Sequence, residues 1–257
     1  MTIKPIHIAL SNGYNRQAER KEGRAMVFAG LQKLTLLDYP GHTACTVFTQ
    51  GCDFRCPFCH NASLLDTSAA PEYPVEEETI LTFLKKRRGT LDGVAITGGE
   101  PLLHPELRDF ILRVRELGFQ VKLDTNGNHP AYLRGLLENG LVDMVAMDIK
   151  NCPAHYARTI GLPQFDLGPI EESIALLRSG KTAYEFRTTV TEQLHTEEDM
   201  QAIGQWLRGD SPYYLQMYVD SGHVLRGGLS APSEEKMKEY RRILLPFLPR
   251  TQLRGLD

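Results

Sequence analysis

Short runs of apolar and β-branched residues recur along the chain from residue 43 onward, and each run is closed by Gly, Asn, Asp or another polar residue. Runs of this length that end at turn residues are typical of buried strands. The pattern predicts six strands, at Thr43–Thr49, Val94–Thr97, Gln120–Asp124, Met144–Asp148, Tyr184–Val190 and Tyr213–Met217.

Segments of helical period alternate with these runs, and we count six of them. The clearest is a stripe of five apolar residues with Gly118 just beyond it: Leu107, Phe110, Ile111, Val114 and Leu117. Shorter stripes lie at residues 80–84, 133–137 and 200–207. Because strands and amphipathic helices alternate, we expect an α/β fold, a partial (β/α)6 barrel with parallel strands. In such a barrel the functional residues lie at the carboxyl ends of the strands.

The N-terminal segment differs from the rest of the chain. Residues 15–24 are polar and rich in charge, and the first 25 residues lack the apolar core of a signal peptide. We therefore expect residues 1–25 to form a mobile leader and residues 26–257 to form one domain, with Met26 as an alternative start. The apolar side chains of Ile3, Ile6 and Ile8 keep open the alternative that the leader packs as a strand.

Composition narrows the possible binding partners of the protein and its cellular compartment. The chain of 257 residues is 42% hydrophobic and 24% charged, and its formal net charge of −3 lacks the basic excess of a nucleic-acid-binding domain. No apolar run is long enough to span a membrane. The five cysteines are odd in number and three are crowded into one loop, which does not suit a disulfide framework. We expect a cytoplasmic protein that binds neither nucleic acid nor membranes.

The crowded cysteines are Cys52, Cys56 and Cys59. With spacings of four and three residues, a single loop can hold three irons of a [4Fe-4S] cluster and leave the fourth iron without a protein ligand. An iron open in this way can chelate the amino and carboxylate groups of S-adenosylmethionine (SAM), and an electron from the cluster can then break the adjacent carbon–sulfur bond.

These cysteines allow three other interpretations. A zinc site with His60 as the fourth ligand satisfies tetrahedral zinc chemistry and stays open. The three cysteines could also line one face of a helix, but Gly51 and Pro57 disfavour a helix in this segment. A redox pair formed by the last two cysteines leaves Cys52 without a role.

The string CDFRCPFC, residues 52–59, resembles the CxxxCxxC signature of the radical SAM superfamily. Together with LTLLDYPG, residues 34–41, it is similar to the activating proteins of anaerobic ribonucleoside-triphosphate reductase, which are relatives of the pyruvate formate-lyase activating enzyme. The resemblance extends from Phe28 to Tyr218. It implies that Phe58 packs against the adenine end of SAM, and that backbone at Gly98, Gly99 and Glu100 accepts hydrogen bonds from the SAM amino group.

Two further stretches, residues 124–127 and residues 147–150, resemble the same activating enzymes. They imply that acidic and polar side chains at Asp124, Asn126 and Asp148, with Lys150, surround SAM and, in relatives, a monovalent cation. An anion such as Asp148 suits the SAM ammonium group, and the Lys150 ammonium suits the SAM carboxylate. Arg187 matches a family arginine near the carboxylate or ribose. For each of these charged residues, a salt bridge at the barrel rim is the alternative.

The resemblance implies an activase that removes a hydrogen atom from a glycine of a glycyl-radical enzyme, with anaerobic ribonucleotide reductase as the first candidate partner and flavodoxin or ferredoxin as electron donor. We expect one [4Fe-4S] cluster, because Cys45 and Cys152 are interpreted as incidental buried thiols. Two alternatives remain: a radical SAM enzyme that acts on a small molecule or peptide, and a zinc-stabilised binding module.

Overall fold

The protein is described here by a computed structural model that covers residues 26–66, 68, 70–180, 182–220, 222 and 224–256. The predicted leader, residues 1–25, lies outside the described residues. None of the helices in the described part of the chain is both long and apolar enough to cross a membrane.

The described residues form ten strands: β1 Val27–Phe28, β2 Gly30–Thr35, β3 Ala44–Thr49, β4 Val75–Glu76, β5 Gly93–Gly98, β6 Gln120–Thr125, β7 Met144–Asp148, β8 Ala183–Val190, β9 Tyr213–Met217 and β10 Thr251–Arg254. Eight of them form a mostly parallel sheet at the centre of the molecule, in the order β10-β9-β8-β7-β6-β5-β3-β2. Among the strands of this sheet, only β2 runs antiparallel to its neighbour. A separate antiparallel pair joins β1 to β4.

Helices connect the parallel strands and bury their apolar faces against the sheet. They are α1 Glu77–Arg87, α2 Leu107–Glu116, α3 Pro130–Glu138, α4 Tyr156–Thr159, α5 Gly168–Arg178, α6 Glu197–Trp206 and α7 Glu234–Leu244. In α2, four residues of the predicted stripe are fully buried: Leu107, Phe110, Ile111 and Val114. The α/β fold with parallel strands is therefore confirmed.

All six predicted strands are present, and each end lies within one residue of its predicted position. The two edges of the large sheet were missed. In β2, Gln32, Lys33 and Leu34 are exposed, so this strand lacks the buried run that identifies the central strands. β10 has only four residues, and its Arg254 pairs with Glu185 of β8. Helices α4, α5 and α7 were also not placed by sequence.

Parallel pairing brings the carboxyl ends of β3, β5, β6, β7 and β8 to the same edge of the sheet. The cysteine loop follows β3. The other predicted site residues lie in the C-terminal halves of the next strands along the sheet or in the loops that follow them. This edge is where ligand sites of parallel α/β proteins lie.

Candidate active site

The cysteine loop begins at Gly51, whose φ of +89° places it in a region that favours glycine. The loop then folds back on its own C-terminal part. The Gly51 amide donates to the Leu64 carbonyl at 2.6 Å, and the Cys52 amide donates to the Leu65 carbonyl at 3.3 Å. The Cys59 amide donates to the Cys56 carbonyl at 3.1 Å. These bonds hold the three cysteines against one cavity, which all three line.

The three thiols are free and lie at least partly buried. Burial raises the pKa of Cys52 to about 12 and that of Cys56 to about 11, and it also raises the pKa of Cys59. Each thiol is therefore protonated while the site holds no metal, and metal binding must release the protons. Three convergent thiols in a largely apolar loop form a donor set that fits an iron–sulfur cluster.

Two glycines bring the end of β5 against the start of the cysteine loop. A Cβ atom at Gly99 would overlap the Gly51 carbonyl oxygen, and one at Gly98, where φ is +118°, would overlap the backbone of Thr49. The Gly99 amide donates to the Thr49 carbonyl at 2.9 Å. The Gly98 carbonyl already accepts a bond from the Asn61 side chain at 3.0 Å. Only glycine permits this close approach.

Glu100 lies behind the cavity and does not line it. Its carboxylate accepts hydrogen bonds from the Leu102 amide at 3.0 Å, the Thr125 hydroxyl at 2.8 Å and the Asn126 amide at 2.7 Å. Burial raises its pKa to about 7, although these bonds oppose the shift. The hydrogen bonds of this side chain therefore fix the loop after β6. A contact between SAM and the Glu100 backbone stays a prediction.

Asp53, which the sequence did not single out, joins the cysteine loop to the loop after β6. One carboxylate oxygen accepts from the Asn126 side chain at 2.6 Å, and the other lies 2.5 Å from the Asn128 amide nitrogen and 3.0 Å from His129 Nε2. Burial alone would raise the pKa of Asp53, but these three partners lower it. The residue lies between two cluster-motif cysteines and no spacing rule marks it, so no sequence signal could have identified it.

A chain of alternating charges crosses the floor of the cavity. Arg187 lies between two carboxylates, with its Nη1 3.4 Å from Asp124 and its Nε 3.0 Å from Asp148. Lys150 Nζ lies 2.9 Å from Asp148, and Lys122 pairs with Asp124. Burial would raise the pKa of Asp148, but Arg187 and Lys150 lower it to about 2.

This network contains three cationic side chains and two carboxylates, so it has an excess of one positive charge. An uncompensated buried charge is costly. A ligand that brings a carboxylate to Lys150 and Arg187 would balance the network. Lys122, only 1% exposed, was also missed by sequence, because it lies within a predicted strand.

The cavity contains about 780 Å³ of space that protein atoms do not occupy, part of it open to solvent. Except for Glu100, every predicted site residue lines it: Cys52, Cys56, Phe58, Cys59, Gly98, Gly99, Asp124, Asn126, Asp148, Lys150 and Arg187. Residues that are far apart in sequence are thus brought to one cavity.

His60, the fourth ligand of the alternative zinc site, also lines the cavity. Its ring stacks on Tyr218 at a centroid distance of 5.4 Å, and its Nε2 lies 2.5 Å from the Val219 carbonyl oxygen. This nitrogen is therefore occupied by the backbone that follows β9.

Comparison with known proteins agrees with this geometry. Residues 46–203, more than half of the chain, match the model of the radical SAM superfamily. The chain belongs to this superfamily and is a radical SAM enzyme, which implies a [4Fe-4S] cluster and SAM as cofactors.

Among curated relatives, a protein of Methanocaldococcus jannaschii, provisionally named as a glycyl-radical enzyme activating enzyme, is 28% identical over 235 residues, which cover 89% of this chain and 96% of the relative. The 7-carboxy-7-deazaguanine synthase of Methanopyrus kandleri is 28% identical over 82% of this chain and 89% of its own. A radical SAM methyltransferase from Sphaerobacter thermophilus has a similar structure, with a TM-score of 0.65, 18% identity and coverage of 84% of this chain and 67% of that one. At this identity the structural likeness supports the fold alone.

Proposed function

We propose that this radical SAM enzyme activates a glycyl-radical enzyme by removing a hydrogen atom from the α-carbon of one of its glycines. The observation that carries the proposal is the similarity to a glycyl-radical enzyme activating enzyme along nearly the whole length of both chains. Anaerobic ribonucleoside-triphosphate reductase is the proposed partner, on the motifs of the cysteine loop and the LTLLDYPG segment. Flavodoxin or ferredoxin is the proposed electron donor.

In this proposal Cys52, Cys56 and Cys59 hold the cluster, and the cavity beside them holds SAM. When bound, the reduced cluster and SAM supply a 5′-deoxyadenosyl radical. The protein binds and orients these groups and excludes water from them. Phe58, a buried side chain at the cavity wall, contributes an apolar surface for the adenine.

The charge network supports a specific orientation of SAM. Lys150 and Arg187 offer the donors that a carboxylate needs, and their excess positive charge favours an anion there. Asp148 and Asp124 lie beside them and suit the ammonium and ribose groups.

A monovalent cation would have to share the carboxylates of Asp124 and Asp148 with Arg187, which already lies between them. We therefore expect any stimulation of SAM cleavage by potassium or sodium to be weaker in the wild type than in an Arg187→Ala variant.

The direct test is electron paramagnetic resonance (EPR). The reconstituted protein is incubated anaerobically with SAM, a reductant and anaerobic ribonucleoside-triphosphate reductase. We expect a doublet centred on a protein glycine, which is absent when SAM is omitted. Formation of 5′-deoxyadenosine with no protein radical, for this reductase and for other glycyl-radical enzymes, would contradict the proposal.

A second candidate is a radical SAM reaction on a small molecule, and the similarity to 7-carboxy-7-deazaguanine synthase favours it. The chain matches this synthase over a length comparable to its match with the activating enzyme, and the sequence identity is 28% in both cases. The two candidates separate in one assay. A protein-free extract of small molecules should not stimulate 5′-deoxyadenosine formation by an activase, whereas it should stimulate an enzyme with a small-molecule substrate.

A further inference from the structure

A second group of metal-ligand side chains lies outside the cavity, between the loop after β7 and the start of α6. Cys152 Sγ lies 3.1 Å from Asp199 Oδ1, and His155 Nδ1 lies 2.7 Å from the same oxygen. The three ligand atoms all lie within 4.8 Å of one another. A tetrahedral Zn²⁺ site takes sulfur at about 2.3 Å and nitrogen or oxygen at about 2.0–2.2 Å. Small outward shifts of the three atoms would therefore admit one ion between them.

We propose that Cys152, His155 and Asp199 bind a divalent ion of the zinc class, with water as the fourth ligand. The spacing C-x-x-H in Cys152-Pro153-Ala154-His155 places two ligands on one short turn. A thiolate, an imidazole and a carboxylate together select a borderline-soft ion such as Zn²⁺ over Mg²⁺ or Ca²⁺.

The backbone around the group holds the ligands in place. The second oxygen of Asp199 accepts from the Thr196 amide at 3.0 Å, and the Thr196 hydroxyl accepts from the Asp199 amide at 3.2 Å. On the other side, the Cys152 amide donates to the Asn151 side chain, which itself donates to Thr159 and to the Leu194 carbonyl. Ligands that are fixed by such outer partners are typical of built metal sites.

Charge and solvent access also suit an ion. Cys152 and Asp199 are each 2% exposed, whereas 47% of the His155 side chain is exposed. An ion can therefore enter beside His155, and water can complete its coordination from that side. On binding, the Cys152 thiol releases its proton to solvent, and the thiolate and carboxylate together neutralise the two charges of the ion.

The site lies two residues beyond Lys150, the lysine that we place against the SAM carboxylate. The Lys150 carbonyl oxygen is also 3.0 Å from Nε2 of the buried His195, which precedes α6. A bound ion would thus be a second tie between α6 and the segment that carries Lys150. This role is structural, and it is independent of the proposed glycyl-radical activity.

The test is a metal analysis of the full-length protein after the cluster has been reconstituted anaerobically. The protein is dialysed against Zn²⁺ and washed with a weak chelator. We expect about one zinc per chain in addition to the cluster iron, and at least a tenfold loss of that zinc in Cys152→Ser and His155→Ala. The matched control is Cys45→Ser, another buried thiol, which should keep the zinc.

A thermal unfolding measurement guards against misfolded variants. Because His155 is half exposed, His155→Ala should fold with its cluster intact, and Zn²⁺ should raise the unfolding temperature of the wild type but not of this variant. Equal zinc in the wild type and both variants, or no zinc retained by the wild type, would overturn the proposal and leave a hydrogen-bonded group without a metal.

Discussion

Thiols lie in two places near the carboxyl ends of the parallel strands, and the two places differ in what surrounds the sulfur. The cysteine loop brings three thiols to one open cavity, and the carboxylate of Asp53 lies 3.9 Å from Cys52 Sγ. Cys152 is the single thiol of its group, and it lies 3.1 Å from a carboxylate that also contacts His155. The number of thiols that line one cavity, more than their burial, therefore distinguishes a cluster loop from a mixed-ligand site, since both sets of thiols are largely buried.

The largest expected effect is the loss of the cluster. Single replacement of Cys52, Cys56 or Cys59 by Ala should abolish the brown iron–sulfur absorbance and SAM cleavage, because three thiolates are needed to hold three irons. Cys45→Ala and Cys152→Ala should leave both largely intact, as measured by iron content and 5′-deoxyadenosine formation. A full cluster in the Cys56 variant, or its loss in the Cys152 variant, would show that the ligands are wrongly assigned.

The next effect concerns SAM affinity. Lys150→Ala should leave the cluster assembled but raise the SAM dissociation constant about tenfold to a hundredfold, because a charge-assisted hydrogen bond contributes about 1.5–3 kcal/mol. Isothermal titration of the reconstituted protein measures this, and Lys85→Ala, an exposed lysine on α1, is the control. If Lys150 serves only as a rim salt bridge, its variant will bind SAM as the wild type does and lose only thermal stability.

A smaller effect is expected at Asp53, which ties the cysteine loop to the loop after β6. Asp53→Ala removes the acceptor for Asn126, Asn128 and His129 and should lower the free energy of unfolding by about 1–3 kcal/mol. Urea denaturation of the protein before cluster assembly measures the loss. The double variant with Asn126→Ala should lose less than the sum of the two single variants, and strict additivity would show that the two side chains are not coupled.

The smallest expected effect is a loss of folding stability at acid pH. The pKa of Asp148 is lowered to about 2, below the value of about 3.9 for an unfolded aspartate. A lowered pKa contributes stability that is present above pH ~4 and is lost as the pH falls towards ~2. Denaturation midpoints between pH 5 and pH 2 should therefore fall more steeply for the wild type than for Asp148→Asn. Parallel curves would contradict the ion pairs of Asp148 with Arg187 and Lys150.

Sequence predicted the features that depend on local pattern. The central strands were placed within one residue because each is a short run with apolar or β-branched residues that turn or polar residues close, and the cysteine loop was identified because its spacing is specific. The edge strand β2 was missed because its exposed residues break that pattern. Asp53 and the Cys152 group could not be predicted, because their partners are 44 to 76 residues away and only the fold brings them together.

Isotope transfer from the partner tests the central claim most directly. The glycyl-radical enzyme is prepared with glycine deuterated at its α-carbon. It is then incubated with the reconstituted radical SAM protein, SAM and reductant, and the 5′-deoxyadenosine is analysed by mass spectrometry. Abstraction from glycine predicts 5′-deoxyadenosine that carries one deuterium, in step with formation of the protein radical. Radical formation with 5′-deoxyadenosine that carries no deuterium would contradict hydrogen abstraction from glycine.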